Sequence, residues 1–416
     1  MAHLPARTAG LPATADPESR SYTPALISLS VLYFMMGFIT CLNDTLVPFF
    51  KKGFSLSYAQ SSLVQFYFFL TYGLMSVPAG RIVGKTGYKR GMVAGFGMAA
   101  VGALLFYPAS LLHEYSLFLA ALFILAVGIV LLQVAANPYI TVLGPARTAS
   151  SRLTLIQGVG SVGTTTAPVF GAWFLLGPLR QAQAGSEAVR YPYLGIAALL
   201  LVIALAVGRL RLPAVGPAKP DSTEAEPRSM FGFRNLRFGI GGIFFYVGAE
   251  VTVGTFLTNY IADTLAIPES EANGFVSFYW GGMLVGRLAG AWLLQRIRPQ
   301  NALAFCAAAA FLLIGVSVGT AGYVAVWSLI AVGLFNSVMF AIIFSLSVSG
   351  LGRYTTRASG LLSTAIAGGA VVSYFQGVLI DLSGWAVAFS LPMLCYIYIL
   401  FYGLDGYKTN RSGSGS

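Results

Sequence analysis

The chain has 416 residues, of which 56% are hydrophobic and only 9% charged. A soluble globular domain carries about 25% charged residues, so this composition excludes a soluble fold and predicts a polytopic membrane protein. The formal net charge of +11 raises nucleic acid as a partner, a reading that the positions of the charges remove.

Residues 1–23 are polar and rich in Pro and Ala, and predict a disordered cytosolic tail. The first apolar segment is too long for a signal peptide's core. Apolar runs of about 20 residues then recur, each long enough to cross the hydrocarbon as a helix that satisfies its own backbone. They predict spans at 24–50, 59–80, 91–111, 115–143, 151–177, 192–210, 238–261, 272–294, 301–320, 323–350, 358–380 and 384–403. The fold class expected is therefore all-α, with twelve transmembrane helices in two pseudo-symmetric six-helix bundles.

Span one holds "GFITCLNDTLVPFF", where Asn43 and Asp44 interrupt the apolar run. A carboxylate at bilayer depth costs roughly 3 kcal/mol on insertion scales. Span two carries Gln65 and ends in "GRIVGKTGYKRG", a loop in which Gly80, Arg81, Gly87, Lys89 and Arg90 suit a tight turn with a basic cluster. Span four carries Gln133 and Asn137, four apart and so on one helix face. Span five carries Gln157, Ser161 and "GVGSVG". That glycine pattern lies within a membrane helix and lacks the strand a dinucleotide site needs, so it predicts close helix contact instead.

The longest polar break divides the chain six plus six. The expected units are an N-terminal bundle at 24–212, a cytosolic linker at 213–236, a C-terminal bundle at 237–404 and a cytosolic tail at 405–416. The closing "SGSGS" reads as a cloning scar. Span seven repeats the pattern of span one, with Glu250 near the bilayer midplane and Asn259 beyond it. Span eight carries Tyr279 and Trp280, span ten Asn336 and Phe340, and span eleven Gln376. Amides offer both donors and acceptors, as sugar hydroxyls require, and aromatic rings suit a pyranose face.

Only Lys51, Lys52, Arg180 and Arg190 of the 25 basic residues fall on odd-numbered connections. The positive-inside rule then places both termini in the cytoplasm, and the excess charge becomes an orientation signal with no nucleic-acid partner implied. Of the 14 acidic residues, Asp44 and Glu250 alone lie well inside a span. No lysine or arginine is expected at mid-depth to pair with either, so each takes up a proton or a cation. Cys41, Cys306 and Cys395 lie in apolar runs, and His3 and His113 in a tail and a loop. No catalytic dyad or metal-ligand spacing is visible, so neither an enzyme nor a bound cofactor is expected. Two related halves with acids between them point to a secondary transporter with a central site.

"LNDTLVPFF", "VPAGRIVGKTGYKRG", "LLQVAANPYITVLGP", "RLTLIQGVGSVG", "GAEVTVGTFLTNYI" and "FNSVMFAIIFSL" together resemble the fucose–proton symporter family of the major facilitator superfamily. They look closest to its glucose/galactose transporter branch. The resemblance spans about residues 25–403. It implies alternating access by two bundles around a midplane sugar site, in a multi-pass protein of the bacterial inner membrane, with a monosaccharide as partner and a monomer as the expected state. It assigns coupling to the helix-one aspartate, Asp44. The family's helix-four glutamate is replaced by Gln133, as in the glucose/galactose branch, and Gly84 replaces the usual acidic residue of the second loop.

Gln133 cannot titrate, but its carbonyl can accept a sugar hydroxyl or coordinate a cation. The oxygens of Asp44, Asn43 and Gln133 slightly favour Na+ over H+ as the coupling ion. The remaining amides and aromatics, with Glu250, are the expected sugar ligands. An uncoupled facilitator or an exporter of the same fold is the competing expectation.

Overall fold

The structure, a computed structural model, describes residues 23–54, 58–171, 186–210 and 230–409; within these, the side chains of 43–53, 58–66 and a few others lie outside the described residues. The N-terminal tail, most of the 213–236 linker and the end of the 405–416 tail therefore fall outside them too. Among the described residues there are helices and no strands.

Twelve helical segments follow in order among the described residues. They are α1 Thr23–Gly53, α2 Tyr58–Thr86, α3 Tyr88–Leu112, α4 Tyr115–Val142, α5 Ala149–Gly171 and α6 Arg190–Arg209, then α7 Arg234–Leu265, α8 Glu269–Leu293, α9 Pro299–Gly319, α10 Gly322–Val348, α11 Gly352–Ala388 and α12 Ser390–Gly406. Among the described residues, eight of them are long and apolar enough to qualify as membrane spans on composition and length alone. Helices α2, α5 and α8 contribute polar side chains to the central cavity. Sequence chemistry sets several of the ends. Pro299 stands at the start of α9, where its missing N–H costs no hydrogen bond. The chain turns at Gly384, with φ +75°, into the last span.

The two halves pack by the same scheme. In the first, α1 packs on α5, α2 on α4, and α3 on α4 and α6; in the second, α7 packs on α11, α8 on α10, and α9 on α10 and α12. Glycines permit the closest approach. A Cβ on Gly163 would lie 2.1 Å from the Phe34 carbonyl oxygen, so α5 meets α1 backbone to backbone only because no side chain intervenes. The expectation drawn from "GVGSVG" is met here.

Between the halves, α2 and α4 pack on α11, and α5 packs on α8 and α10. These contacts gather at one end of the molecule, the end that also carries Arg81, Arg147, Arg296 and Arg353. We call it the basic end. There Gly360 of α11 lies against α2 so closely that a Cβ would come within 2.7 Å of the Ser76 carbonyl oxygen. Ser150 and Ser345 share a hydrogen bond at 2.5 Å, and Ser151 donates to the Ala291 carbonyl. Pro138 lies inside α4 and has no N–H, which leaves the Val134 carbonyl without its helical donor. Ser359 supplies one from across the interface, at 3.3 Å. The loop between α2 and α3 joins the same closure. Gly87 takes φ +85° to start α3, and the next residue, Tyr88, accepts a hydrogen bond from Thr356 at 3.1 Å. Arg81 and Arg90 of that loop are exposed, and Lys89 is half-buried.

Candidate functional site

Above this closure the halves part around a cavity of about 290 Å³, near the lower end of small-molecule sites, about 300–1,000 Å³. Helices α1, α2, α4 and α5 form one wall, α7, α8 and α10 the other, and Ile366 of α11 closes the lining.

The first wall is built from amide–phenol pairs. Gln133 donates from Nε2 to the Tyr72 hydroxyl at 2.8 Å, and the Tyr33 hydroxyl donates to Asn137 Oδ1. One helical turn separates Gln133 from Asn137 on α4, so both face the cavity. Ser161 donates to the Gln157 carbonyl at 3.1 Å, but the side-chain Oε1 of Gln157 is buried without a partner among the described residues. A buried acceptor left unpaired costs about 1–3 kcal/mol, so this oxygen awaits a donor from whatever fills the space. Phe68 and Phe69 of α2 add apolar faces.

The second wall is ionic. The Glu250 carboxylate lies 3.9 Å from Arg287 Nη2, with the two side chains only 14% and 19% exposed. Tyr246 lies one turn before Glu250 on α7 and lines the cavity beside it. Behind them Tyr279 donates to the Glu250 backbone carbonyl at 3.3 Å, Asn336 donates to the Tyr279 hydroxyl at 3.0 Å, and Tyr396 donates to Asn336 Oδ1 at 2.7 Å. Helix α10 loosens at 337–338 within "FNSVMF". The carbonyls of Asn336 and Ser337 there accept side-chain bonds from Tyr246 at 3.1 Å and from Arg287 Nε at 3.4 Å. Arg287 also donates from Nη1 across the cavity floor to Ser161 of the other wall.

One expectation is corrected here. Glu250 is not without a mid-depth cation, because Arg287, counted from sequence with the cytosolic charges, is inside α8. It lies six residues before Leu293, roughly 9 Å short of that helix end.

The structure brings Gln133, Asn137, Gln157, Glu250 and Phe340 to the cavity. Tyr279 and Asn336 are fully buried one layer behind it. Trp280 is exposed on the next face of α8, one residue and about 100° round from Tyr279. Asn259 is exposed nine residues after Glu250, about half a turn out of phase with it. Gln376 is fully buried in α11, outside the cavity lining, with no partner for its amide among the described residues. The expectations placed on Asn43, Asp44 and Gln65 fall on side chains outside the described residues. No group of three His, Cys, Asp or Glu side chains suited to a metal ion occurs among the described residues.

Tyr33, Tyr246 and Arg287 were not foreseen. The two tyrosines read as ordinary core aromatics. For Arg287 a signal existed, since "MLVGRLAG" surrounds it with apolar residues inside a span.

Comparison with known proteins agrees with this architecture. A family model described as Major Facilitator Superfamily matches residues 29–374. A "Glucose/galactose transporter" of Brucella abortus is 48% identical over 400 residues, covering 95% of this chain and 97% of that protein. The "L-fucose-proton symporter" of Escherichia coli is 33% identical over 412 residues, covering 92% of this chain and 93% of its own length. A crystal structure of FucP, described as a major facilitator transporter in the outward conformation, superposes with a TM-score of 0.84 at 30% identity, covering 93% of this chain and 99% of that one. The chain belongs to the Major Facilitator Superfamily, in the branch that holds these glucose/galactose transporters and fucose–proton symporters, and is no enzyme.

Proposed function

We propose that this protein is a cation-coupled symporter of a hexose such as glucose or galactose, working by alternating access of its two bundles. The observation that carries the reading is the cavity between them. It sets neutral amides, Gln133, Asn137 and Gln157, opposite an acceptor–donor pair, Glu250 and Arg287, with Phe69 and Phe340 beside them. A pyranose offers hydroxyls that donate and accept, and apolar faces between them. The relatives named as glucose/galactose transporters support a hexose as cargo.

The basic end is taken as cytoplasmic on the positive-inside rule, with both termini on that side of a bacterial inner membrane. Closure at that end makes this an outward-facing state, in line with the FucP structure it resembles. The functional units follow the boundaries drawn from sequence, with the linker joining two bundles that rock about the site, and the working form is a monomer.

For the coupling ion, sodium was favoured from sequence by the oxygens of Asp44, Asn43 and Gln133. The relatives that name an ion name the proton, and a single carboxylate suffices to carry one. We therefore take Asp44 as the coupling group and H+ as the ion to test first. The experiment is uptake of labelled glucose, galactose and fucose into proteoliposomes under a pH gradient, a Na+ gradient or neither. Accumulation of glucose or galactose above equilibrium under one gradient is the expected result, and its loss in Asp44→Asn while exchange persists places coupling on Asp44. Uptake that never exceeds equilibrium under either gradient contradicts coupling and leaves an uncoupled facilitator.

A further inference from the structure

Arg287 has more to do than neutralise Glu250. Its three nitrogens divide unequally. Nη1 bonds Ser161 of the opposite bundle, whereas Nε reaches the Ser337 carbonyl only at 3.4 Å and Nη2 stands 3.9 Å from Glu250. The last is an ion pair without a good hydrogen bond. A guanidinium carries five N–H donors, so this one faces the cavity with donor capacity to spare.

The bond to Ser161 differs from the other hydrogen bonds between the bundles. Ser150–Ser345, Ser151–Ala291, Ser359–Val134 and Thr356–Tyr88 lie at the basic end, away from the cavity lining. Ser161 is about three turns further along α5, and both it and Arg287 line the cavity. Among the described residues it is the one cross-bundle hydrogen bond with both partners in that lining. When the basic end opens, α5 and α8 separate and this bond breaks. The bonds at the basic end can then be replaced by water. Arg287 can be satisfied from within the cavity instead.

We propose that Arg287 is a sugar ligand and, through Ser161, a latch that holds the basic end shut until sugar takes over its donors. A hydroxyl seated beside the pair can accept from Arg287 and donate to Glu250, being donor and acceptor at once, because atoms 3.9 Å apart can both lie at hydrogen-bond distance from a third. The guanidinium is a rigid plane, so drawing Nη2 onto that hydroxyl swings Nη1 away from Ser161 and leaves α5 free to part from α8. Occupancy of the cavity thereby lowers the barrier to its own release on the far side. The idea rests on reading the cavity as the sugar site, and it adds how binding is transmitted to the closure.

The test uses purified full-length protein in detergent, where both ends are reachable. Cys41, Cys306 and Cys395 are replaced by Ala, and Ser150→Cys is introduced as a reporter. Ser150 is buried between the bundles at the basic end, 3% exposed. Its rate of labelling by a maleimide then reports opening. In this parent, labelling is slow and galactose or glucose accelerates it. Adding Ser161→Ala removes the latch and leaves the Glu250–Arg287 pair. Labelling without sugar then rises roughly fivefold, the shift expected for one net hydrogen bond, and sugar adds little more. Sugar binding by Ser161→Ala is at least as tight as in the parent, whereas Arg287→Lys weakens it roughly tenfold through loss of the forked donors.

Labelling of Ser161→Ala at the parental rate, with a full response to sugar, overturns the latch. Unchanged affinity in Arg287→Lys overturns the ligand role. If the parent binds none of glucose, galactose or fucose, the hexose reading fails. The sugar-free comparison of Ser161→Ala with the parent still decides the latch, fast labelling upholding it and the parental rate refuting it.

Discussion

The two walls of the cavity are built from different chemistry. On the first, Gln133 with Tyr72 and Asn137 with Tyr33 form uncharged pairs between neighbouring helices of one bundle. On the second, Glu250 and Arg287 form an ion pair, backed by Tyr246, Tyr279 and Asn336 in a network two residues deep. A neutral pair can exchange its partner for a sugar hydroxyl at small cost, since one hydrogen bond replaces another. An ion pair in a partly buried setting cannot lose one member without stranding the other. The contrast points to a division of labour in which both walls meet the sugar, the amide wall by exchanging neutral partners and the ionic wall by keeping its charges paired while it transmits occupancy to the closure.

The largest expected effect attacks the ionic wall. Glu250→Leu leaves Arg287 without its carboxylate, and breaking a buried pair from one side costs about 3–5 kcal/mol. Thermal unfolding in detergent should show a sharply lower Tm. Glu250→Gln combined with Arg287→Gln should recover most of the loss, because no charge is then stranded. Should the single variant melt like the parent, the second wall is not held by its charges, and the contrast between the walls fails.

The amide wall should respond more mildly and in a different quantity. Gln133→Ala removes the donor to Tyr72 and a cavity-facing amide. Sugar affinity is expected to fall roughly tenfold, with a stability loss of about 1 kcal/mol. Isothermal titration and a melting curve on the same sample separate the two. A large drop in Tm with unchanged affinity would instead make this wall structural.

The smallest effect sharpens the role of burial. Asp405 pairs with Arg234 and Lys408 near the end of α12, but its side chain is 44% exposed. Water screens such pairs. Asp405→Asn should leave Tm and transport unchanged within error, in contrast to Glu250→Leu. A comparable loss at both positions would show that pairing itself, rather than its surroundings, sets the cost.

Much of the fold was legible in the sequence because lipid imposes a coarse rule. Runs of about 20 apolar residues mark the spans, and the basic residues sort to one end. The six-plus-six division showed in the long polar break. The amides of the first wall were legible for the same reason, since Gln133, Asn137 and Gln157 stand out in apolar helices. Arg287 was obscured by position. Six residues from a helix end, it was grouped with Arg296 and Arg298, although a span's last turns are still within the bilayer. Tyr33 gave no signal, because a tyrosine in an apolar run looks like core, and its partner Asn137 lies 104 residues away. The face of α7 was the hardest to read. Glu250 and Asn259 are half a turn out of phase, so a polar residue within the right span can still face away from a neighbour on the same helix.

The central claim is that a hexose binds between an amide wall and an ionic wall. Its most direct test is an experimental structure of the purified protein saturated with galactose or glucose. The account predicts one pyranose in the central cavity, with hydroxyls within hydrogen-bond distance of Gln133 or Gln157 on one side and of Glu250 or Arg287 on the other. A cavity that stays empty at saturating sugar, or a sugar held by one wall alone, would contradict it.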